Sequence, residues 1–165
     1  MMGVALNKMS ILYVVKKISY DEIFPFWEKL LWKNRKSPIR STNGLTMEGS
    51  FNKQIENNIP TFFGVFLNNK CVAVNSGHAT SNVEYRSRGI YVLKEYRKQG
   101  ISQLLFKAVH QQAINENKKI LWSIPRKQSI QAYLSFGFQI IKEVSDLEFG
   151  PNFYVKKNII EQNIK

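Results

Sequence analysis

The stretch "RGIYVLKEYRKQGISQLLFKAV", residues 88–109, decides how this chain folds. Its first part, Arg88 to Lys94, is rich in β-branched and aromatic residues and reads as a strand. Its last part sets Ile101, Leu104, Leu105, Ala108 and Val109 at i, i+3, i+4, i+7 and i+8, one face of an amphipathic helix. The hinge between them, "EYRKQGIS" (95–102), holds two adjacent cations and one glycine. A strand running through a glycine into a helix leaves the first backbone N–H groups of that helix without intrahelical partners, at the positive end of its dipole. That is an anion site by construction. Gly100 removes the Cβ that would hold a phosphate off the chain, and Arg97 and Lys98 add charge. No Gly-Lys-Ser/Thr follows, so this is not a P-loop. With one glycine it is not a dinucleotide fingerprint either. On the residues alone, a phosphate grip and a charged turn both stand.

Working outward, Ser10 to Lys17 reads as a first strand. Asp21 is placed to cap a helix carrying Ile23, Trp27, Leu30 and Leu31 on one face, with Pro25 in its first turn. A basic loop follows, "KNRKSPIRSTNGL" (33–45), then a short helix around Met47 to Asn57. "TFFGVFL" (61–67) and "CVAVNSG" (71–77), joined by "NNK", read as a hairpin. "HATSNVEYRS" reads as a polar connection. "KILWSI" (119–124) is a buried strand, "KQSIQAYLSFG" a short helix stopped by Gly137, and "FQIIKEV" and "NFYVKKN" two closing strands. Only Arg88–Lys94 and Lys119–Ile124 are joined through a crossover helix. The expectation is therefore an α+β domain: a mixed, mostly antiparallel sheet of about seven strands with helices on both faces.

The 165 residues suggest one domain, spanning 1–165 with a core from about 10 to 158, and 44% apolar residues suffice to build its core. A single cysteine, Cys71, makes no internal disulfide and suits a reducing cytoplasm. No Cys/His cluster has metal-ligand spacing, so no metal is expected. The apolar run "SILYVV" is too short to span a bilayer, and no membrane role is expected. Net charge is +12. Lysine outnumbers arginine 18 to 6, which fits AT-rich coding as well as a surface selected for anionic partners. Either way, polyamines and aminoglycosides are poor partners for such a surface.

Two signatures in this order resemble the GNAT (GCN5-related) N-acetyltransferases. Arg97-Lys98-Gln99-Gly100-Ile101-Ser102 is similar to their acyl-CoA loop, Arg/Gln-x-x-Gly-x-Gly/Ala, here with Ser102 in the last small position. Val92 and Tyr96 match the Val-x-x-x-Tyr/Phe that precedes it. Downstream, Ser129, Tyr133, Gly137 and Phe138 match the second signature, and the resemblance covers roughly Ser10 to Asn158.

The resemblance implies a splayed central parallel strand pair with acetyl-CoA in the fork. It implies backbone pairing of Ile90, Tyr91 and Val92 with the pantetheine arm, and a pyrophosphate loop from Arg97 through Lys98, Gln99, Gly100, Ile101 and Ser102 to Gln103. It implies direct attack by an amine, with Tyr133 as the general acid toward the leaving thiolate and no role for Cys71. Relatives often carry a glutamate base near Ser123 and then an asparagine; neither is here. Arg126 or Gln128 are candidates for the asparagine's contact with the cofactor, and His78 and Glu84 for the base. Water-mediated deprotonation needs neither. Lys33, Arg35, Lys36, Arg40, Arg86 and Arg88, with Trp32 and Tyr85, would make a basic acceptor wall if they converge, and Trp122 is either core or pocket lining. The acceptor class stays open among a nucleic-acid-linked amine such as aminoacyl-tRNA, a protein amine and a small molecule, and the protein is a monomer or homodimer. The rival reading is a basic nucleic-acid-binding module that retains the fold.

Overall fold

Alternating apolar residues build the sheet, and a computed structural model describes it over residues 12–160. The strands are β1 (Val14–Ile18), β2 (Thr61–Leu67), β3 (Lys70–Ala79), β4 (Glu84–Val92), β5 (Ile120–Ser123), β6 (Gln139–Val144) and β7 (Asn152–Asn158). The helices are α1 (Tyr20–Phe26), α2 (Ile101–Asn115) and α3 (Ile130–Phe136). The seven strands form one sheet in the order β1-β2-β3-β4-β5-β7-β6, antiparallel except for β4–β5. This is the α+β architecture expected. Leu105, Phe106 and Val109 of α2 and Tyr133 of α3 pack with Val65, Tyr85 and Leu121 on one face of the sheet. Ile23 and Trp27 pack with Phe62 and Val74 on the other.

Four local expectations are corrected. The cap of α1 is Ser19, not Asp21: its side chain accepts from the Glu22 N–H at 3.2 Å, and Glu22 returns a bond to the Ser19 N–H at 3.0 Å. Pro25 therefore lies beyond the first turn, where its missing N–H removes a helical bond. The chain then widens into a π turn, Trp27–Leu31, closed by the Trp32 N–H on the Trp27 carbonyl at 2.7 Å. The wider turn keeps Trp27 buried but swings Leu30 out to 43% exposure. The helix expected around Met47 to Asn57 is only a 3₁₀ turn, Lys53–Asn57. The start of the first expected strand, Ser10, lies outside the described residues; β1 runs from Val14.

The fourth correction bears on the site. "HATSNVEYRS" is not a long loop. β3 runs on through His78 to Ala79, and β4 begins at Glu84, with Ala79 opposite Tyr85 and His78 opposite Arg86. Farther along, Val74 faces Tyr91 but Ser76 faces Arg88, so β4 carries one extra residue, a β-bulge at Gly89. Gly89 has φ +81, and a Cβ there would lie 2.4 Å from Trp27 Nε1. Trp27 Nε1 instead donates to the Gly89 carbonyl at 2.8 Å. The α1 side of the sheet thus holds the bulge in place.

Candidate active site

Parallel strands held by a long crossover can separate once side chains wedge between them, and β4 and β5 do so early. They pair only from Glu84↔Ile120 to Arg86↔Trp122. Where the ladder ends, the Ser123 hydroxyl donates to the Ser87 carbonyl at 2.7 Å, a side chain standing in for the next rung. Beyond it the β5-facing edge of β4 has no strand partner, and a cleft of about 790 Å³ opens.

One end of the cleft is the hinge that opened the sequence. Gly100 sits at the N-terminus of α2 with φ +80, and no side chain caps that terminus. Nothing lies within 4 Å of where a Gly100 Cβ would stand, so the space in front of the helix terminus is open. Arg97, Lys98, Gly100, Ile101, Ser102 and Gln103 all line the cleft, as do Ile90, Tyr91, Val92 and Arg126. Several of these side chains already have partners. Arg97 Nε donates to the Val92 carbonyl at 2.9 Å and its guanidinium covers the Tyr91 ring. Gln103 ties α2 to α3 through the Ala132 carbonyl at 3.0 Å. Arg126 donates to the Leu31 carbonyl and covers Phe149. Gln99 is outside the lining; its side chain accepts from the Tyr13 hydroxyl.

Tyr133 stands in the middle. α3 buries it to 4% exposure, with its ring 4.7 Å from that of Phe106 and 5.5 Å from that of Phe138. Burial pushes its pKa up to about 12, while the neighbouring Ser123 hydroxyl and Arg86 pull the other way. The phenol therefore holds its proton across ordinary pH.

The other end is cationic. Arg35, Arg86, Arg88 and Trp32 line it. The remaining expected wall residues do otherwise: Lys33 and Lys36 are exposed outside the lining, Arg40 offers Arg88 its carbonyl at 2.9 Å, and Tyr85 points into the opposite core and bonds Glu116 at 2.9 Å. Trp122 is core: its Nε1 donates to Thr80 Oγ1 at 2.9 Å, and Arg86 lies over its ring.

Neither base candidate lines the cleft. His78 is fully buried, with Nδ1 3.2 Å from the Ala79 carbonyl and Nε2 without a partner. Desolvation, then Arg86 and Arg88, depress its pKa to about 3. Glu84 sits where β4 and β5 are still paired; burial and then Glu48 raise its pKa. Cys71 lies on β3 outside the cleft, and burial raises its thiol pKa. Sequence reasoning missed Gly89, Ser87 and Asn152. A glycine interrupting a strand pattern was the available signal for the first.

Residues 59–140, which carry both the Gly100 hinge and Tyr133, match the family model described as acetyltransferase (GNAT) domain. No curated protein matches the sequence. Among solved structures, Ard1 from Thermoplasma volcanium superposes with a TM-score of 0.66 at 15% identity, covering 90% of this chain and 99% of its own. The ribosomal-protein-S18-alanine N-acetyltransferase from Escherichia coli gives 0.62 at 14%, covering 93% and 99%. An aminoglycoside 6'-N-acetyltransferase complexed with coenzyme A gives 0.64 at 7%, covering 92% and 99%. At these identities the structures share the fold. With the matching model, the forked sheet and the two sequence signatures, the chain belongs to the GNAT acetyltransferase family.

Proposed function

We propose that the protein is an acetyl-CoA-dependent N-acetyltransferase, acting as one domain, that moves the acetyl group to a primary amine by direct attack. One observation carries the reading. A buried, protonated tyrosine stands in a fork between an unpartnered strand edge and an uncapped helix N-terminus. The residues fit the cofactor. The free edge of β4 at Ile90–Val92 can take up an extended amide-bearing arm as an added strand. The α2 terminus, with open space in front of Gly100, suits a pyrophosphate.

In the reaction the amine nitrogen attacks the thioester carbonyl carbon. A backbone N–H on the β4 edge steadies the oxygen as its charge grows. The carbon–sulfur bond then breaks, and Tyr133 gives its proton to the departing thiolate. A phenol held near 12 is a weak acid, but a thiolate in the same desolvated pocket has its own proton affinity raised. The amine's proton leaves to solvent, and Tyr133 takes a proton back from solvent, as a phenol with a pKa of about 12 does at ordinary pH. We assign no base to His78: an imidazole that stays neutral down to about pH 3 and does not reach the cleft has neither the affinity nor the access.

Two measurements test this. Acetyl-CoA at one hundred times its Kd should stabilise the fold by about 2.7 kcal/mol in a thermal melt. Tyr133→Phe should keep that affinity and lower kcat by roughly a hundredfold or more. Wild-type turnover in Tyr133→Phe would leave the tyrosine a packing residue.

A further inference from the structure

We propose that the acceptor amine carries its own anion, a carboxylate or a phosphate monoester, and that Arg86 and Arg88 dock it. This rests on the transferase reading above. The two arginines sit two residues apart on β4, on one face, roughly 7 Å from each other along the strand. They lie immediately before the Gly89 bulge, next to the Ile90–Val92 edge.

Both guanidiniums are short of partners. Arg88 is 4% exposed, and among the described residues its side chain makes one hydrogen bond, to the Arg40 carbonyl at 2.9 Å. Its guanidinium also lies over the faces of Trp27 and Trp32, at 5.0 and 4.9 Å. Arg86 bonds Asn43 Oδ1 at 3.1 Å and lies over Trp122 at 5.2 Å, and its buried Nε has no partner at all. Among the described residues neither forms an ion pair with a carboxylate. The nearest acid of the cleft, Glu148, is committed to the Lys36 N–H at 2.6 Å and the Ser37 hydroxyl at 3.2 Å, and its charge is felt by Arg35.

Burying a guanidinium without a counter-ion costs several kcal/mol. An indole face returns only about 2 kcal/mol of that. Two such residues side by side in an open cleft repel each other as well. An incoming anion relieves all three costs, and a pair of forked donors suits a carboxylate or phosphate. The same cleft holds Asn152, whose buried Oδ1 has no partner and can accept from an amine N–H. Arg86, Arg88 and Tyr133 line this same cleft, so the docked anion and the reacting amine share it. A polycationic acceptor meets repulsion here.

The test follows acetyl transfer by the whole protein on matched amines: an α-amino acid against its carboxamide, phosphoethanolamine against ethanolamine, and a polyamine. The anionic member of one pair should win by about tenfold to a hundredfold in kcat/KM. The pair that shows the preference tells carboxylate from phosphate. Arg86→Gln and Arg88→Gln should narrow it without moving acetyl-CoA affinity. Because either variant can disturb folding, a second readout uses the wild type alone. The chain's three tryptophans, Trp27, Trp32 and Trp122, all lie against these two arginines. With CoA saturating, N-acetylalanine should change their fluorescence and N-acetylalaninamide should not. Equal or better transfer to the neutral or polycationic amines overturns the proposal. So does the lack of any anion-dependent transfer together with no anion-dependent fluorescence change. If acetyl-CoA itself gives no thermal shift, the transferase reading falls, and this proposal with it.

Discussion

His78 makes the fold acid-sensitive in a way that can be calculated. Its folded pKa is about 3 against 6.5 for a free imidazole, because burial and then the charges of Arg86 and Arg88 oppose its protonation. The unfolded chain therefore binds one more proton than the folded chain between those values. Stability from this group is fully present above about pH 6.5 and is lost as pH falls toward 3. At 1.36 kcal/mol per unit, the drop from about pH 7.5 to about pH 4.5 comes to about 2.5 kcal/mol. Carboxylates also respond to acid, so the measurement is a difference. Wild type and His78→Gln are unfolded in urea at both pH values. The wild type should lose about 2.5 kcal/mol more than the variant over that interval. Equal losses would mean that His78 already protonates in the folded protein near its ordinary pKa. It would then have solvent access, and its exclusion from the chemistry would no longer hold.

Two further substitutions probe the fork. Gly89→Ala puts a Cβ against Trp27 Nε1 in a left-handed conformation, and should cost about 2–4 kcal/mol by urea unfolding; an unchanged midpoint would show that the bulge is not fixed by Trp27. Gly100→Val has open space for its side chain but the wrong φ, and it fills the ground in front of α2. It should lower acetyl-CoA affinity by at least roughly tenfold, measured by calorimetry; retained affinity would move the phosphate site elsewhere.

The sheet, the hairpin and the Gly100 hinge were legible because apolar periodicity and punctuation report them directly. Asn68 and Asn69, both at positive φ, make the turn that "NNK" promised. The site was legible only in part. "HATSNVEYRS" reads as a loop because it is polar, and a polar run suggests exposure. Yet His78, Tyr85 and Ser87 are buried in paired strands, and the Ser87 carbonyl accepts from the Ser123 hydroxyl at 2.7 Å. Residues lining a cleft inside a sheet must be polar to serve a ligand, and a periodicity argument misfiles them. Which arginines converge was equally out of reach. Arg86 and Arg88 follow from strand parity, but Arg35 arrives through the loop after the π turn, where no pattern runs.

Parity along β4 also shows what the bulge accomplishes. Tyr85 faces the α2 side, while Arg88 faces Trp27 on the α1 side. Strict alternation would then send Tyr91 to the α2 side and Ile90 to the α1 side. The structure has the reverse: Ile90 and Val92 pack with the α2 core, and Tyr91 packs with the α1 cluster. The extra residue at Gly89 is what flips them. Upstream of the bulge, β4 turns two cations toward the α1 side of the cleft. Downstream, it buries apolar side chains against α2 and leaves its backbone edge free beside Tyr133. Deleting Gly89 would restore alternation and carry Tyr91 into the α2 core and Ile90 toward Trp27. On the proposed reading, this change of parity lets one strand present the anion-docking arginines on one side of the bulge and the thioester-binding edge on the other.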